Sequence, residues 1–237
     1  MSKETLRILY LYPYEMNTYG DWGNVITLQK RAERRGIRTE VIEHRPGSKL
    51  PTNCNLIFMG GGQDSGQSLI LEDLHAIGTN LKDMVNDGVP ALTICGGYQL
   101  FGESFLMSDG SVLEGLGIFP LITQAEEGRL IGNVQVKSSQ FGMLYGFENH
   151  SGRTTLHAQA EPLGRVLRGS GNNGRDHTEG IVFKNAIGTY LHGPVLPKNP
   201  VMADWLIARA IGVLDKELVP LDDPYSEPAR ATLRRLK

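Results

Sequence analysis

A run of apolar residues, Val89 to Ile94, stops on Cys95 and turns at once through Gly96 and Gly97. A strand that ends on a nucleophile and turns through residues lacking Cβ is a nucleophile elbow, in which a tight backbone pushes one side chain out toward a substrate. The next stretch, Tyr98 to Met107, has the pattern of a helix, whose N-terminal dipole would point at the sulfur and favour the thiolate. An elbow of this kind needs a sheet to hold the strand and a helix behind it.

Around the elbow, strand-like and helix-like patterns alternate. Leu6 to Tyr12 reads as a strand, about Asn24 to Arg35 as a helix stopped by Gly36, and Thr39 to Glu43 and Asn55 to Met59 as further strands. Leu69 to Asn86 is helical in pattern and is stopped by Gly88, just before the strand that delivers Cys95. This order predicts an α/β fold, a doubly wound, mostly parallel sheet flanked by helices and joined by right-handed crossovers. Sites in such sheets lie beyond the carboxyl ends of the strands, where Cys95 and Gly60-Gly61-Gly62 both fall. After Phe105 the texture changes to short segments rich in Gly, Asn and Ser, and Gly169 to Gly174 reads as a mobile hairpin or loop. Gly180 to Phe183 and Ala186 to Tyr190 read as two strands joined at Lys184-Asn185. Asn199 is placed to cap a last helix reaching about Gly212, with Val201, Met202, Trp205, Leu206 and Ala208 on its apolar face. Pro220, Pro224 and Pro228 punctuate the remainder, so residues 1–214 are expected to form one domain and 215–237 an extended tail.

Of 237 residues, 24 are basic and 26 acidic, for a net charge of -2. That balance, without a basic stripe, argues against nucleic acid. No apolar run reaches the roughly 20 residues of a membrane helix, and Met1 to Leu6 enters a strand without the regions of a signal peptide. A soluble, cytoplasmic protein is the expectation. Two cysteines suit a reducing compartment better than a disulfide framework. Cys54, just ahead of Leu56 to Met59, reads as an inert packed thiol. No CxxC pair or histidine cluster has metal-ligand spacing, so no metal is expected.

A nucleophilic thiol needs a base within hydrogen-bond reach. His192 is the best placed of six histidines: it follows the apolar stretch Ile187 to Leu191 and precedes Gly193-Pro194, which presents its ring at a rigid strand end. His44, His75, His157 and His177 sit in polar or helical contexts that suit a solvated or satisfied imidazole. On the residues alone, a packed core histidine explains His192 equally well. Acyl transfer also needs donors for an oxyanion, each worth about 3–4 kcal/mol, and the backbone N–H groups of Gly62 and Gly96 are the natural pair. Gly60 to Gly66 lacks the Lys-Ser/Thr ending of a phosphate loop. A plain strand-to-helix turn is the alternative there.

Cys95-Gly96-Gly97-Tyr98-Gln99 resembles the cysteine elbow of class I (triad) glutamine amidotransferases, and Tyr145 to Gly152 resembles a segment of their cobyric acid synthase (CobB/CobQ) type. Over nearly its whole length the chain is similar to the GatD family, the glutaminase subunits of lipid II isoglutaminyl synthases, with Arg129 to Asn133 and Glu148-Asn149-His150 as matching segments. The resemblance implies that Cys95 attacks the side-chain amide of L-glutamine and forms a γ-glutamyl thioester, with His192 as acid and then base. It implies that Arg129 and Gln99 hold the amino-acid end of glutamine, with Glu148, Asn149 and His150 as accessory residues. Without it, Arg129 reads as a surface residue of an acidic loop and Gln99 as a helix residue facing solvent. It further implies a heterodimer with a Mur-ligase-like partner, MurT. This chain would carry no cofactor, ATP and Mg would sit on the partner, and ammonia would amidate the D-glutamate α-carboxylate of lipid II in peptidoglycan synthesis.

One departure from the family bears on mechanism. Most relatives carry an acid two residues after the histidine, where this chain has Pro194. The site therefore runs as a dyad, or takes its acid from Glu179, from Asp176 or, as the preferred expectation, from the partner subunit. Three other readings compete: a cobyric-acid-type subunit serving another acid, a cysteine hydrolase of γ-glutamyl or peptide substrates, and a binding protein with a vestigial site. Gln99 and Arg129 discriminate, because a peptidase tolerates their loss and a glutaminase does not.

Overall fold

The computed structural model describes residues 5–224 and 226–234; the expected lead-in from Met1 to Glu4 and the end of the tail, residues 235–237, lie outside the described residues. In chain order the first elements are β1 (Thr5–Leu11), α1 (Trp22–Glu33), β2 (Arg38–His44), β3 (Leu56–Met59), α2 (Asp64–Asn86), β4 (Ala91–Ile94) and α3 (Gly96–Phe101). Next come β5 (Ser104–Leu106), β6 (Val112–Glu114), β7 (Leu121–Ser138), β8 (Gly142–Leu156), β9 (Gly164–Arg168) and β10 (Thr178–Glu179). The chain returns through β11 (Ile181–Phe183) and β12 (Ala186–Thr189) and ends in α4 (Val195–Lys198), α5 (Pro200–Ala210) and α6 (Ser226–Leu233).

The first sheet has the order β11-β12-β4-β3-β1-β2, parallel except for the β11–β12 pair. Its central strands β3 and β4 are buried at every position, as a parallel sheet covered on both faces requires. Alternation along β1 divides the core. Leu6, Ile8 and Tyr10 pack with Val25, Leu28 and Ala32 of α1 and with α5, while Leu9 and Leu11 pack with Ile70, Leu74, Leu81 and Val85 of α2. The doubly wound sheet flanked by helices expected from the alternating pattern is therefore present.

Four expectations are corrected. The helix after Cys95 ends at Phe101 rather than Met107, and Ser104–Leu106 becomes β5. The segments beyond Phe105 are not merely short: β7 and β8 pair antiparallel from Leu121↔Leu156 to Ser138↔Gly142, with an irregularity between Ala125 and Leu130, and they organise a second sheet. Asn199 occupies the N-cap position of α5, but its side chain bonds Tyr145 N, Tyr145 O and Val195 O instead of capping. Val201 is exposed, leaving Met202, Trp205, Leu206 and Ala208 as the buried face.

The tail is a strap that ends in a helix. Arg31 of α1 forks onto Asp204 of α5 at 2.7 and 2.8 Å and reaches Asp223 at 2.9 Å. Arg35 Nε donates to Val219 O and Arg34 to Asp222 O. Residues 226–233, expected to be extended, form α6, from which Arg230 donates to Lys198 O and Met143 O at 2.8 Å each and lies over the Tyr145 ring.

Candidate active site

The elbow is anchored before it turns. Ile94 is paired with Thr189 of β12, and Cys95 N donates to Thr189 O at 2.9 Å. Cys95 then adopts φ 48°, ψ −104°, a backbone conformation that a residue with a Cβ adopts only when its surroundings impose it. Glycines make the surroundings fit. A Cβ built on Gly97 would lie 2.9 Å from Gly60 O, and one on Gly96 would lie 2.9 Å from Gly62 N. The structure thus brings together Gly62 and Gly96, the expected oxyanion donors, at the ends of neighbouring strands β3 and β4. The N–H groups of the first turn of α3 have no acceptor within the helix, and they face the elbow.

His192 is fully buried, and its main chain is clamped to β8 by His192 N to Phe147 O at 2.8 Å and Phe147 N to His192 O at 3.2 Å. Its ring meets the cysteine across Gly61, where an added Cβ would lie 2.9 Å from His192 Cε1 and 3.3 Å from Cys95 Cβ. Burial alone would lower the imidazole pKa, but the charge of a Cys95 thiolate and the Asp21 carboxylate raise it to about 10. A satisfied core imidazole would have its ring nitrogens hydrogen-bonded, and neither ring nitrogen of His192 has a hydrogen-bond partner in the packed interior. Cys54, by contrast, is a buried thiol whose pKa burial pushes up to about 11, as an inert thiol requires.

Cys95 opens into a cleft of about 420 Å³, which suits a ligand of amino-acid size. Gly62, Gln67, Gln99, Arg129, Asn149 and His150 are among its lining residues. Gln99 does not face solvent: its Oε1 accepts from Gln67 Nε2 at 3.2 Å and its Nε2 donates to Tyr190 OH at 3.0 Å. Arg129 is exposed, as a surface residue of the acidic loop would be, but Glu126 pairs with Arg175 and Arg153 rather than with it. Arg129 donates to the Oδ1 and backbone O of Asn149 at 2.6 and 2.7 Å, and this fixes its guanidinium over the cleft. The three accessory residues differ. Asn149 lines the cleft; His150 stacks on Tyr190 at 3.6 Å with its pKa lowered by burial; and Glu148 is turned away, accepting from Ser170 N and Gly171 N at 2.8 Å each. Those bonds, with Asn172 fully buried, tie down the Gly169–Gly174 turn that reads as a mobile loop in the sequence.

Neither Asp176 nor Glu179 pairs with His192. Asp176 closes its own turn on Asn173 and Thr178, and Glu179 accepts from Thr189 Oγ1 at 2.6 Å and Tyr190 N at 2.8 Å. The carboxylate nearest His192 belongs to Asp21, with Oδ1 3.6 Å from Nδ1. Tyr19 is a second residue that no sequence motif marks. Its ring packs edge-on against His192 with centroids 5.0 Å apart, and its hydroxyl accepts from Asn149 Nδ2. The one available signal was position, because residues 12–21 leave the carboxyl end of β1, the side on which such sheets bind ligands. Among the described residues no group of His, Cys, Asp or Glu is placed to hold a metal ion.

A family model described as the CobB/CobQ-like glutamine amidotransferase domain matches residues 7–200. The chain is 44% identical over 206 residues to the lipid II isoglutaminyl synthase (glutamine-hydrolyzing) subunit GatD of Staphylococcus aureus, covering 86% of this chain and 84% of that protein. It is 40% identical over 210 residues to the subunit of the same name from Streptococcus pneumoniae, covering 87% and 80%. In fold it is similar to the crystal structure of a Thermotoga maritima glutamine amidotransferase, with a TM-score of 0.53, 16% identity and coverage of 97% of this chain and 93% of that one. With Cys95, His192 and a glycine-walled cleft at the strand ends, the chain belongs to the CobB/CobQ-like glutamine amidotransferases.

Proposed function

We propose that this chain is the glutaminase subunit of a lipid II isoglutaminyl synthase. It hydrolyses L-glutamine and passes ammonia to a MurT-like, ATP-dependent partner that amidates the D-glutamate α-carboxylate of lipid II. The observation that carries the reading is the meeting of a strained, cleft-facing Cys95 with the buried, proton-holding His192, below the side chains of Arg129 and Gln99.

The Cys95 sulfur attacks the side-chain carbonyl carbon of glutamine. The oxyanion that forms is held by the backbone N–H groups of Gly62 and Gly96. His192 gives its proton to the leaving nitrogen, the C–N bond breaks, and ammonia departs from a γ-glutamyl thioester. His192, now neutral, takes a proton from water; the hydroxide adds to the thioester, the C–S bond breaks, and glutamate leaves with the sulfur restored. Making an amide from a carboxylate requires activation by ATP, for which this chain has no phosphate loop, and that step belongs to the partner with its Mg. The two GatD relatives are named as subunits, which supports a heterodimer.

Labelling with 6-diazo-5-oxo-L-norleucine, a glutamine-shaped electrophile, tests the reading by mass spectrometry. Modification confined to Cys95 and blocked by excess glutamine is expected. Arg129→Ala should raise the KM for glutamine about 10- to 100-fold, the loss of one hydrogen bond to a charged group. Turnover of peptides undiminished in Arg129→Ala and Gln99→Ala variants would instead identify a cysteine peptidase. Absence of label in both the chain and its co-purified complex would overturn the glutaminase assignment.

A further inference from the structure

We infer that Asp21 is the positioning carboxylate of this site: it orients the His192 imidazole through Nδ1, leaving the other ring nitrogen to Cys95, and it supplies from within the chain the acid that Pro194 displaces. The inference rests on the glutaminase reading for its kinetics, although its geometry does not.

Asp21 sits at the N-cap position of α1, where an aspartate ordinarily accepts from the first turn of its own helix. It makes no such bond. Its side chain turns away instead, and Oδ2 accepts from Gly61 N at 2.7 Å. That leaves Oδ1 without a hydrogen-bond partner, 3.6 Å from His192 Nδ1, which also has none. Both side chains are completely buried. A buried carboxylate and a buried imidazole, each with an otherwise unpartnered atom, are stabilised by satisfying each other. The gap is a few tenths of an ångström beyond a hydrogen bond, and catalytic contacts of this kind tighten when substrate fills the site. Asp21 lies at the start of α1, where the helix dipole favours negative charge. Because Oδ2 holds the amide of Gly61, next to the oxyanion donor Gly62, one carboxylate ties the base to the wall that stabilises the transition state. The other groups facing the imidazole do not compete for Nδ1. Cys95 favours the protonated ring through its charge, the Tyr19 ring packs edge-on, Glu179 is engaged by Thr189 and Tyr190, and Lys198 Nζ bonds the His192 main-chain oxygen at 3.3 Å.

Asp21→Asn in the full chain is the test. An asparagine still accepts from Gly61 N through its oxygen, but it presents N–H to Nδ1, which then carries no proton, so the imidazole is held in the wrong tautomer. The kcat for glutamine should fall about 100-fold or more, with KM within about threefold because Asp21 does not touch the cleft's amino-acid end. Wild-type kcat and pH profile in this variant would overturn the inference. A second measurement covers the case in which the variant misfolds. In Cys95→Ser protein labelled with 15N-histidine the sulfur charge is gone, and neutral His192 should carry its proton on Nδ1, facing Asp21, where NMR detects it. A neutral His192 with its proton on Nε2 instead would overturn the inference even if kinetics were impaired. Because this readout needs no turnover, it separates failure of the Asp21 role from failure of the glutaminase reading.

Discussion

Gly61 stands at the centre of the site although it carries no functional group. A methyl there would meet His192 Cε1 at 2.9 Å, Asp21 Oδ2 at 3.2 Å and Cys95 Cβ at 3.3 Å, all on buried, braced elements that cannot yield freely. Gly61→Ala is therefore expected to cost about 1–3 kcal/mol in stability through overpacking and, by displacing the base from the sulfur, about 100-fold in kcat. Single-turnover kinetics beside thermal melts would check it, and wild-type kcat in a fully folded variant would show that the three groups need not meet. At this scale Cys95, with its two following glycines, was legible, because the elbow pattern is local. Asp21 was not, because nothing in the sequence connects a helix-start aspartate with a histidine on the far side of the chain.

Among elements, legibility followed the range of the interactions. The helices and parallel strands before Cys95 form their apolar faces from near neighbours, and periodicity finds them. Helix α3 is cut short at Phe101 because Gly102 turns extended and the next residues find a better partner in β7. The β7–β8 hairpin has mixed exposure along both strands, so its alternation was faint in the sequence. It nevertheless delivers Arg129 and Asn149 to the cleft and clamps His192. The strap depends on Arg31, whose side chain is 12% exposed and whose guanidinium bridges Asp204 to Asp223. Removing it by Arg31→Ala leaves Asp204 to Arg35 alone and takes the cation from Asp223, a loss of about 1–3 kcal/mol. The tail should then be cut by trypsin at lower enzyme concentration, with Tm lower by about 2–4 °C per kcal/mol. An unchanged cleavage pattern would mean that Arg34 and Arg35 hold the strap without it.

For the molecule as a whole, the buried carboxyl of Glu179 couples stability to pH. It is fully enclosed between the two sheets' connecting strands, one of its oxygens has no partner, and burial raises its pKa to about 7. Between the ordinary value of 4.5 and about 7 the folded chain keeps a proton that the unfolded chain gives up, so stability falls as pH rises through that window, by on the order of 3 kcal/mol. Glu179→Gln should flatten this slope in denaturant titrations at pH 4.5 and 7.5, and an equal slope in both proteins would exclude Glu179 as its source. No helix among the described residues is long and apolar enough to cross a membrane. The sequence by itself determined the parallel sheet, the elbow and the candidate nucleophile, since each arises from apolar periodicity or from glycines adjacent to the residue they serve. Only the tertiary structure decided which carboxylate meets His192, how Arg129 is aimed and how Gln99 is buried, because those pairings join segments remote in sequence and are selected by the burial of charge and polar groups that no local pattern records.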